Sequence, residues 1–240
     1  MLVLIMAGKD LGTALIVGGI GLLMIYLCGT PMRQMFVVLL GALLAAGALV
    51  VTQPHRVSRF AAFLHPFDPQ VYKFAGWQTA HSVMGLASGG IFGVGLGASK
   101  QKWGNLSEAN TDFIFSVIGE ELGLLGTLAV LLTFGALIYG ILRTAINTKD
   151  HFEKFAVAGI GSWLLLQVLV NVASDIGVFP VIGVTLPFIS YGGSSLIANY
   201  LAIAFVLNVL RRDPAIKSEL AHARKRRLKT LQSSANEARG

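Results

Sequence analysis

The sequence predicts an all-α, polytopic helical membrane protein, and three observations support that prediction. Hydrophobic residues make up 54% of the 240 residues and charged residues only 13%, and the mean hydropathy is +0.69. Five apolar runs approach or exceed the ~20 residues that a helix needs to cross the hydrocarbon core of a bilayer. These runs cover residues 11–28, 35–51, 113–146, 155–178 and 195–210. We therefore predict about five full spans within one membrane domain, residues 1–212.

The basic residues predict how the spans are oriented. Lysines and arginines concentrate after Leu210, at Arg211, Arg212, Lys217, Arg224, Lys225, Arg226, Arg227 and Lys229. Because short basic segments next to a span stay in the cytoplasm, residues 213–240 are predicted to form a basic cytoplasmic tail. Counting back through the spans places the segment of about residues 52–111 outside, as a long extracytoplasmic loop. The net charge of +7 comes mostly from the tail, and nucleic-acid binding is a poor fit because these residues adjoin a span.

Cysteine and histidine give no sign of a disulfide or metal framework. Cys28 is the single cysteine, which excludes an internal disulfide. The five histidines show no ligand spacing, so we predict no metal site from them.

Three carboxylates stand at one end of a hydrophobic run, where charge is costly and is a functional-site hypothesis by default. They belong to Asp112, Glu120 and Glu121. Asp112, Ser116 and Glu120 fall four residues apart and hence on one face of a helix, whereas Glu121 leaves that face. One interpretation is a catalytic site on the shared face. The alternative is that Asp112 occupies the first turn of its helix, where the helix dipole favours a carboxylate.

Two further segments depart from a plain helical bundle. The glycine-rich run at residues 88–97 either permits close helix packing or lets the backbone approach a ligand, and packing is favoured. The segment 180–195 contains two prolines and ends in Gly-Gly-Ser-Ser, so it cannot form a continuous helix. At membrane depth, such backbone must be buried in protein or line a water-filled cavity.

Polar residues repeat at four-residue spacing just before that irregular segment, at Gln167, Asn171 and Asp175. A stripe of this kind faces the interior of a bundle. It forms either an interhelical hydrogen-bonded seam or one wall of a polar cleft that opens to the outside. The seam is favoured for Gln167 and Asn171, and no role is predicted for Asp175.

The predicted outer face therefore offers acids at Asp112 and Glu120 and bases at Arg56 and Arg59. Arginine suits bidentate contact with phosphate oxygens, and an acid beside it suits general-base chemistry on a hydroxyl. The residues by themselves predict a membrane enzyme or carrier that handles an anionic, phosphorylated and lipid-linked substrate.

At these residues the chain resembles the SEDS family (shape, elongation, division and sporulation), whose members include FtsW, RodA and SpoVE. The segments that match its signatures in order are KDLGT (9–13), 54–66 with both arginines, GWQ (76–78), GLG (95–97), TDFIF (111–115), IGEELG (118–123) and LPFISYGGSS (186–195). The resemblance extends to about Arg212. Because the family's proteins have ten membrane helices, the chain resembles their C-terminal part. The GLG segment with Gln101 and Lys102 favours the division type, FtsW.

The resemblance implies a peptidoglycan glycosyltransferase of the bacterial cytoplasmic membrane. Such an enzyme polymerises lipid II, the undecaprenyl-pyrophosphate-linked disaccharide pentapeptide, on the outer face during septal or general wall growth. Asp112 would be the general base that deprotonates the acceptor sugar's 4-hydroxyl in an inverting transfer. Arg56 and Arg59 would stabilise the departing pyrophosphate, a role that a divalent cation, Mg²⁺ or Mn²⁺, could share. The other residues expected to bind substrate are Gln78, Glu108, Glu120, Ser190 and Ser194.

The resemblance also implies protein partners. These are a class B penicillin-binding protein, the transpeptidase that cross-links new strands, and other divisome or elongation proteins. Two alternatives of different classes stay open. One is a lipid II flippase, a transporter; the other is a non-catalytic scaffold for the transpeptidase.

Overall fold

The computed structural model describes residues 11–51, 63, 65–74, 76–104 and 106–212, and the regular elements within these ranges are all α-helices. In chain order they are α1 (Leu11–Leu27), α2 (Met32–Val51), α3 (Pro69–Tyr72), α4 (Gly76–Gly89), α5 (Ile114–Asn147), α6 (His151–Asp175) and α7 (Gly193–Arg212). The predicted all-α class is thereby confirmed. The predicted tail at 213–240 and both arginines, Arg56 and Arg59, lie outside the described residues.

Each of the five predicted spans coincides with a helix to within a few residues at either end. Within the described residues, α5, α6 and α7 are long and apolar enough to cross a membrane. The described apolar stretches of α1 and α2 are shorter, Gly12–Leu27 and Met32–Gly41. That α1 and α2 also span the bilayer therefore stays a prediction.

The segment predicted as a long loop, about residues 52–111, contains two helices, α3 and α4. Small and polar residues make up much of α4, and this composition gave no apolar run from which a helix could be expected. One face of α4 is buried, including Thr79, Ala80 and Ser82. The segment is thus partly a packed element of the fold, and its extracytoplasmic location stays a prediction.

The helices form one packed group around α5 and α6. These two antiparallel helices are joined by a short connection, α4 packs against α5, α1 packs against α6, and α7 contacts both α5 and α6. Buried apolar side chains from α5, α6 and α7 share a core, which includes Phe134, Ile138, Ile141, Val157, Leu164, Val168, Val206 and Val209. This core holds together the helices whose ends meet at the site described below.

The starts of α5 and α6 differ in how they are capped. Asp150 caps α6, because its side chain accepts the main-chain N–H of Glu153 at 2.8 Å. The N-cap residue of α5 is Phe113, which makes no side-chain capping hydrogen bond. The N–H groups of Ser116 and Val117 donate to the Phe113 main-chain carbonyl, and any side-chain cap for α5 must come from elsewhere in the structure.

The long helix α5 is interrupted at Gly123, whose backbone is non-helical (φ 69°, ψ −162°). The loop after α4 bonds to the main chain on both sides of this break. Val94 N–H donates to the Glu120 carbonyl at 3.0 Å, and Leu124 N–H donates to the Gly90 carbonyl at 2.9 Å. The loop thus satisfies polar groups that the interruption would otherwise leave unpaired.

Close backbone approach explains the glycine at the end of α4. A Cβ atom added at Gly89 would collide with the main-chain carbonyl of Gly119 in α5. Only a residue without a side chain allows α4 and α5 to approach this closely, as the packing interpretation of the glycine-rich run requires.

We predict that Gly89→Ala destabilises the protein by about 1–3 kcal/mol, because the added methyl group must push the two backbones apart. Thermal unfolding of the purified protein, followed by fluorimetry, measures the effect. Gly135→Ala is the matched control, since a Cβ at Gly135 meets no atom within 4 Å. The control should unfold at or above the wild-type temperature, because alanine favours a helix over glycine by about 1 kcal/mol. Equal stability of Gly89→Ala and wild type would contradict the packing argument.

Candidate active site

A tight turn before α5 places Asp112 at the edge of the helical group. Glu108 adopts a left-handed backbone conformation (φ 59°), which is unusual for a residue with a side chain. Its main-chain carbonyl accepts the N–H groups of Thr111 and Asp112, both at 3.1 Å. Its carboxylate also accepts the Thr111 hydroxyl at 2.8 Å. Local hydrogen bonds therefore fix the backbone on the N-terminal side of Asp112.

Helix α6 fixes the same backbone from the other side. The side-chain amide of Asn171 donates to the main-chain carbonyls of Asp112 and Val184, each at 2.7 Å. One turn earlier, the Gln167 amide donates to the Thr185 carbonyl at 2.9 Å. The polar stripe of α6 is therefore a hydrogen-bonded seam at Gln167 and Asn171, but the expectation that the seam joins two helices is wrong. It joins α6 to irregular main chain, whose carbonyls have no helical partners.

The irregular segment between α6 and α7, residues 176–192, lies against the loop before α5. The Ser190 hydroxyl donates to the Thr111 carbonyl at 2.5 Å, and the Tyr191 N–H donates to the Asn110 carbonyl at 2.8 Å. Non-helical backbone is thus paired and partly buried against protein, the condition under which irregular backbone is tolerated within a membrane. Two segments that are far apart in sequence form one structural unit around Asp112.

Gly183 brings the irregular segment up to the Asp112 carboxylate. A Cβ atom added at Gly183, where φ is +76°, would lie 3.5 Å from Oδ2 of Asp112. Since glycine has no side chain, the space beside this carboxylate oxygen stays open.

The Asp112 carboxylate has no hydrogen-bond donor among the described residues, although its main chain is held on both sides. Within the described part of the chain, no donor forms a hydrogen bond with either carboxylate oxygen, whereas the N–H and C=O of Asp112 are both bonded. Burial raises the pKa of Asp112 above its ordinary value, and the nearby negative charge of Glu108 raises this pKa further. A raised pKa makes a carboxylate a stronger base. The geometry and the electrostatics both suit proton abstraction.

The expectation that Asp112, Ser116 and Glu120 share one helical face is wrong for Asp112. Helix α5 begins at Ile114, so Asp112 lies in the preceding turn. The physical reason is the Glu108 carbonyl, which draws the main chain of residues 111–113 into a turn of its own. Ser116 and Glu120 do lie within α5, and both are buried.

Glu120 is directed at the loop after α4 and not at the space beside Asp112. Its side chain is almost fully buried (2% exposed). The carboxylate accepts the Ser99 hydroxyl at 2.5 Å and the N–H groups of Lys100 and Gln101 at 3.0 and 3.3 Å. These donors occupy both oxygens and give the side chain a structural role. Substrate binding by Glu120 stays an untested prediction.

The other predicted site residues differ in how near they lie to Asp112. Gln78 donates to the Ser107 hydroxyl at 2.7 Å and so contacts the loop that carries Asp112. Ser190 adjoins that loop, but its buried hydroxyl is committed to main-chain groups. Ser194 is exposed in the first turn of α7. The structure thus brings Glu108, Gln78 and Ser190 to the Asp112 loop and leaves Ser194 with no such contact.

Sequence reasoning missed two features of the site. It assigned no role to Asp175, whose carboxylate accepts the main-chain N–H of Ser116 at 3.0 Å. It also did not single out Gly183, because neither spacing nor composition shows which glycine of a segment will meet a carboxylate. The four-residue repeat of Gln167, Asn171 and Asp175 was the one signal that pointed to the first feature.

Comparison with known proteins identifies the family. The family model described as "Cell cycle protein", which covers FtsW, RodA and SpoVE, matches residues 1–214. Stage V sporulation protein E of Bacillus subtilis is 38% identical over 87% of this chain and 56% of its own length. A probable peptidoglycan glycosyltransferase FtsW from Pseudoalteromonas translucida is 40% identical over 86% of this chain and 52% of its own length. The chain therefore spans about half the length of the curated relatives it matches.

Solved structures agree with this assignment. One chain of a peptidoglycan synthase complex, studied for the coordination of polymerization and crosslinking, matches with a TM-score of 0.69 and 27% identity, over 89% of this chain and 59% of that chain. The rod shape determining protein RodA of Thermus thermophilus matches with a TM-score of 0.57 and 28% identity, over 88% of this chain and 52% of that chain. With this fold and these relatives, the chain belongs to the FtsW/RodA/SpoVE family, the SEDS proteins.

Proposed function

We propose that the full-length protein is a peptidoglycan glycosyltransferase that polymerises lipid II into glycan strands, with Asp112 as the general base. Relatives named as probable peptidoglycan glycosyltransferases support the activity. The geometry around Asp112 supports the assignment of the base. The reaction belongs to wall synthesis during division or growth, and the FtsW-named relatives favour division.

The observation that carries this proposal is which acidic side chains near the site already accept hydrogen bonds or form ion pairs. The Glu108 carboxylate accepts a threonine hydroxyl, Glu120 accepts three donors, and Glu121 pairs with Lys102 at 2.5 Å. Asp175 is fully buried and bonded to α5. Among the acids that the structure describes around the site, Asp112 combines partial exposure, free oxygens and a fixed main chain. A general base needs these three properties.

The proposed step is a single displacement. The acceptor sugar's 4-hydroxyl loses its proton to an Asp112 carboxylate oxygen while its oxygen bonds to the donor's anomeric carbon. The bond from that carbon to the phosphate oxygen breaks, and undecaprenyl pyrophosphate departs on the opposite face, so the anomeric centre is inverted. One base suffices, because pyrophosphate leaves readily without a general acid.

Stabilisation of the departing pyrophosphate falls to basic residues in this proposal. Arg56 and Arg59 are the candidates, since an arginine binds phosphate oxygens in pairs. Within the described residues, no three His, Cys, Asp or Glu side chains converge closely enough to hold a metal ion. These residues do not by themselves form a metal centre, and the displacement proposed above uses none. Participation of Mg²⁺ or Mn²⁺ stays a prediction.

The location and partners follow from the same proposal. The apolar helices support a multi-pass protein of the bacterial inner membrane, with Asp112 on the extracytoplasmic side and the C-terminus in the cytoplasm. A class B penicillin-binding protein would cross-link the new strands, within a larger assembly of division or elongation proteins. The related chain in a peptidoglycan synthase complex supports such a pairing.

We predict that Asp112→Asn lowers the polymerisation rate at least about 100-fold, since an amide cannot accept the hydroxyl proton. The measurement is formation of glycan strands from purified lipid II by the full-length protein, with and without its partner transpeptidase. Glu153→Gln is the matched control, because Glu153 is a distant acid whose partner is the exposed Arg212. This control should polymerise at the wild-type rate.

The same experiment separates the alternative functions. A scaffold would form no strands even as wild type with its partner present. A flippase would move lipid II across vesicle membranes and leave it unpolymerised. Polymerisation that survives Asp112→Asn would remove Asp112 from the role of base.

We predict that Glu108→Gln moves the acidic limb of the pH–rate profile to lower pH. Glu108 raises the pKa of Asp112 through its negative charge, so removing that charge lets Asp112 stay ionised in more acidic solution. The profile of kcat/KM from about pH 3, below an aspartate's ordinary pKa of about 3.9, up to about pH 8 measures this shift.

Thr111→Val is the control for this pH experiment. It removes the threonine hydroxyl that bonds to Glu108 but leaves the Glu108 charge in place, so the acidic limb should stay where it is in wild type. A shift to higher pH in Glu108→Gln, or an equal shift in both variants, would contradict the electrostatic argument.

A further inference from the structure

Helix α5 follows directly on the Asp112 loop, yet it begins without a cap of its own. The first N–H groups of a helix have no acceptor within the helix, and the N-cap side chain usually accepts the N–H of the second or third helical residue. Phe113 occupies the N-cap position and makes no such bond. Ser116 is the third residue of α5, and its N–H is buried.

The Ser116 N–H is shared between two acceptors. One is the main-chain carbonyl of Phe113 at 3.1 Å, and Asp175, the last residue of α6, supplies the side-chain acceptor that Phe113 cannot. Its Oδ2 atom accepts the Ser116 N–H at 3.0 Å across 59 residues of sequence. The Asp175 side chain is fully buried (0% exposed). A carboxyl oxygen at this position also interacts favourably with the positive end of the helix dipole. Asp175 thus does for α5 what an N-cap residue does for its own helix.

A serine of α4 completes this junction. The Ser82 hydroxyl donates to the main-chain carbonyl of Asp175 at 2.8 Å, and the hydroxyls of Ser82 and Ser116 lie 2.5 Å apart. The ends of α5 and α6 therefore meet α4 at one buried polar point. One turn earlier on α6, Asn171 bonds to the Asp112 carbonyl.

We propose that Asp175 is a positioning residue for the general base: it caps α5 from α6 and, with Asn171, holds the main chain that runs from Asp112 to Ser116. This inference rests on the proposed function, in which Asp112 is the base. The bonds from α6 reach residue 112 and residue 116, so they bracket the point where the loop becomes a helix. A shift of that point moves the Asp112 carboxylate relative to the substrate hydroxyl.

The free energy of the junction supports a positioning role over a purely stabilising one. Among the described residues, the buried Oδ1 atom of Asp175 has no hydrogen-bond partner, and such an atom lowers stability. An apolar residue of similar size would avoid this cost but would leave the Ser116 N–H with the Phe113 carbonyl alone and without a side-chain cap. The hydrogen bond from the Ser116 N–H to Oδ2 therefore accounts for a carboxyl group at this buried position.

The test compares Asp175→Ala with Asp175→Asn in the full-length protein, using polymerisation of purified lipid II. Alanine removes the acceptor, and we expect kcat to fall about 10–100-fold with little change in KM, the effect of displacing a catalytic group by a fraction of an ångström to an ångström. Asparagine keeps an acceptor oxygen at the same place and should restore most of kcat. Loss of activity through KM alone, or no rescue by asparagine, would overturn the proposal.

A second readout does not depend on catalysis. Hydrogen exchange of the amides at residues 110–117 reports whether the start of α5 is held. Exchange there should be faster in Asp175→Ala than in wild type or Asp175→Asn. Should Asp175→Ala not accumulate as folded protein, Ser82→Ala replaces it. A wild-type kcat and wild-type exchange in that variant would overturn the proposal.

Asn199→Ala is the matched control, because Asn199 in α7 is also fully buried and its side-chain amide has no hydrogen-bond partner. We expect unchanged kcat and unchanged exchange at 110–117. Faster exchange in Asp175→Ala together with polymerisation that survives Asp112→Asn would refute the proposed function and leave the cap intact. Unchanged exchange and kcat in Asp175→Ala, with an inactive Asp112→Asn, would refute the cap and leave the function intact.

Discussion

Hydrogen bonds from one face of α6 to irregular main chain are the interaction on which the site depends. Inside a bilayer, a backbone that leaves the helix loses its partners and finds no water to replace them. Asn171 and Gln167 supply donors to three carbonyls of such backbone, those of Asp112, Val184 and Thr185. Because these donors sit on a helix that is packed on several sides, the loops they hold are as fixed as the helix itself.

That constraint also explains why acids of one short stretch behave differently. Glu120 is enclosed by donors from the loop after α4, so its charge is used to hold that loop. Glu121 is paired with Lys102. Asp112 is held through its main chain, and neither of its carboxylate oxygens is bonded to a donor in the part of the chain that the structure describes. Fixing a reactive group by its backbone keeps its side chain free for chemistry and still limits its motion.

The interruption of α5 and the glycines that face it belong to the same arrangement. Gly123 breaks the helix, the loop after α4 bonds across the break, and Gly89 lets α4 approach closely enough for that loop to reach. Glu120, on the turn before the break, binds residues 99–101 of the same loop. The packed junction of α4 and α5 thus supports the N-terminal part of α5, at whose start the Asp112 turn lies.

The sequence by itself determined the all-α membrane class, the approximate helix boundaries and the family, because apolar runs and ordered motifs are local properties of the chain. It also singled out Asp112 and the seam at Gln167 and Asn171. The tertiary structure decided that Asp112 precedes α5, that Glu120 binds a loop, and that Asp175 caps another helix. These outcomes depend on hydrogen bonds between residues far apart in sequence, such as the 59 positions that separate Asp175 from Ser116. Periodicity along one helix shows which residues share a face, but only packing determines what that face meets.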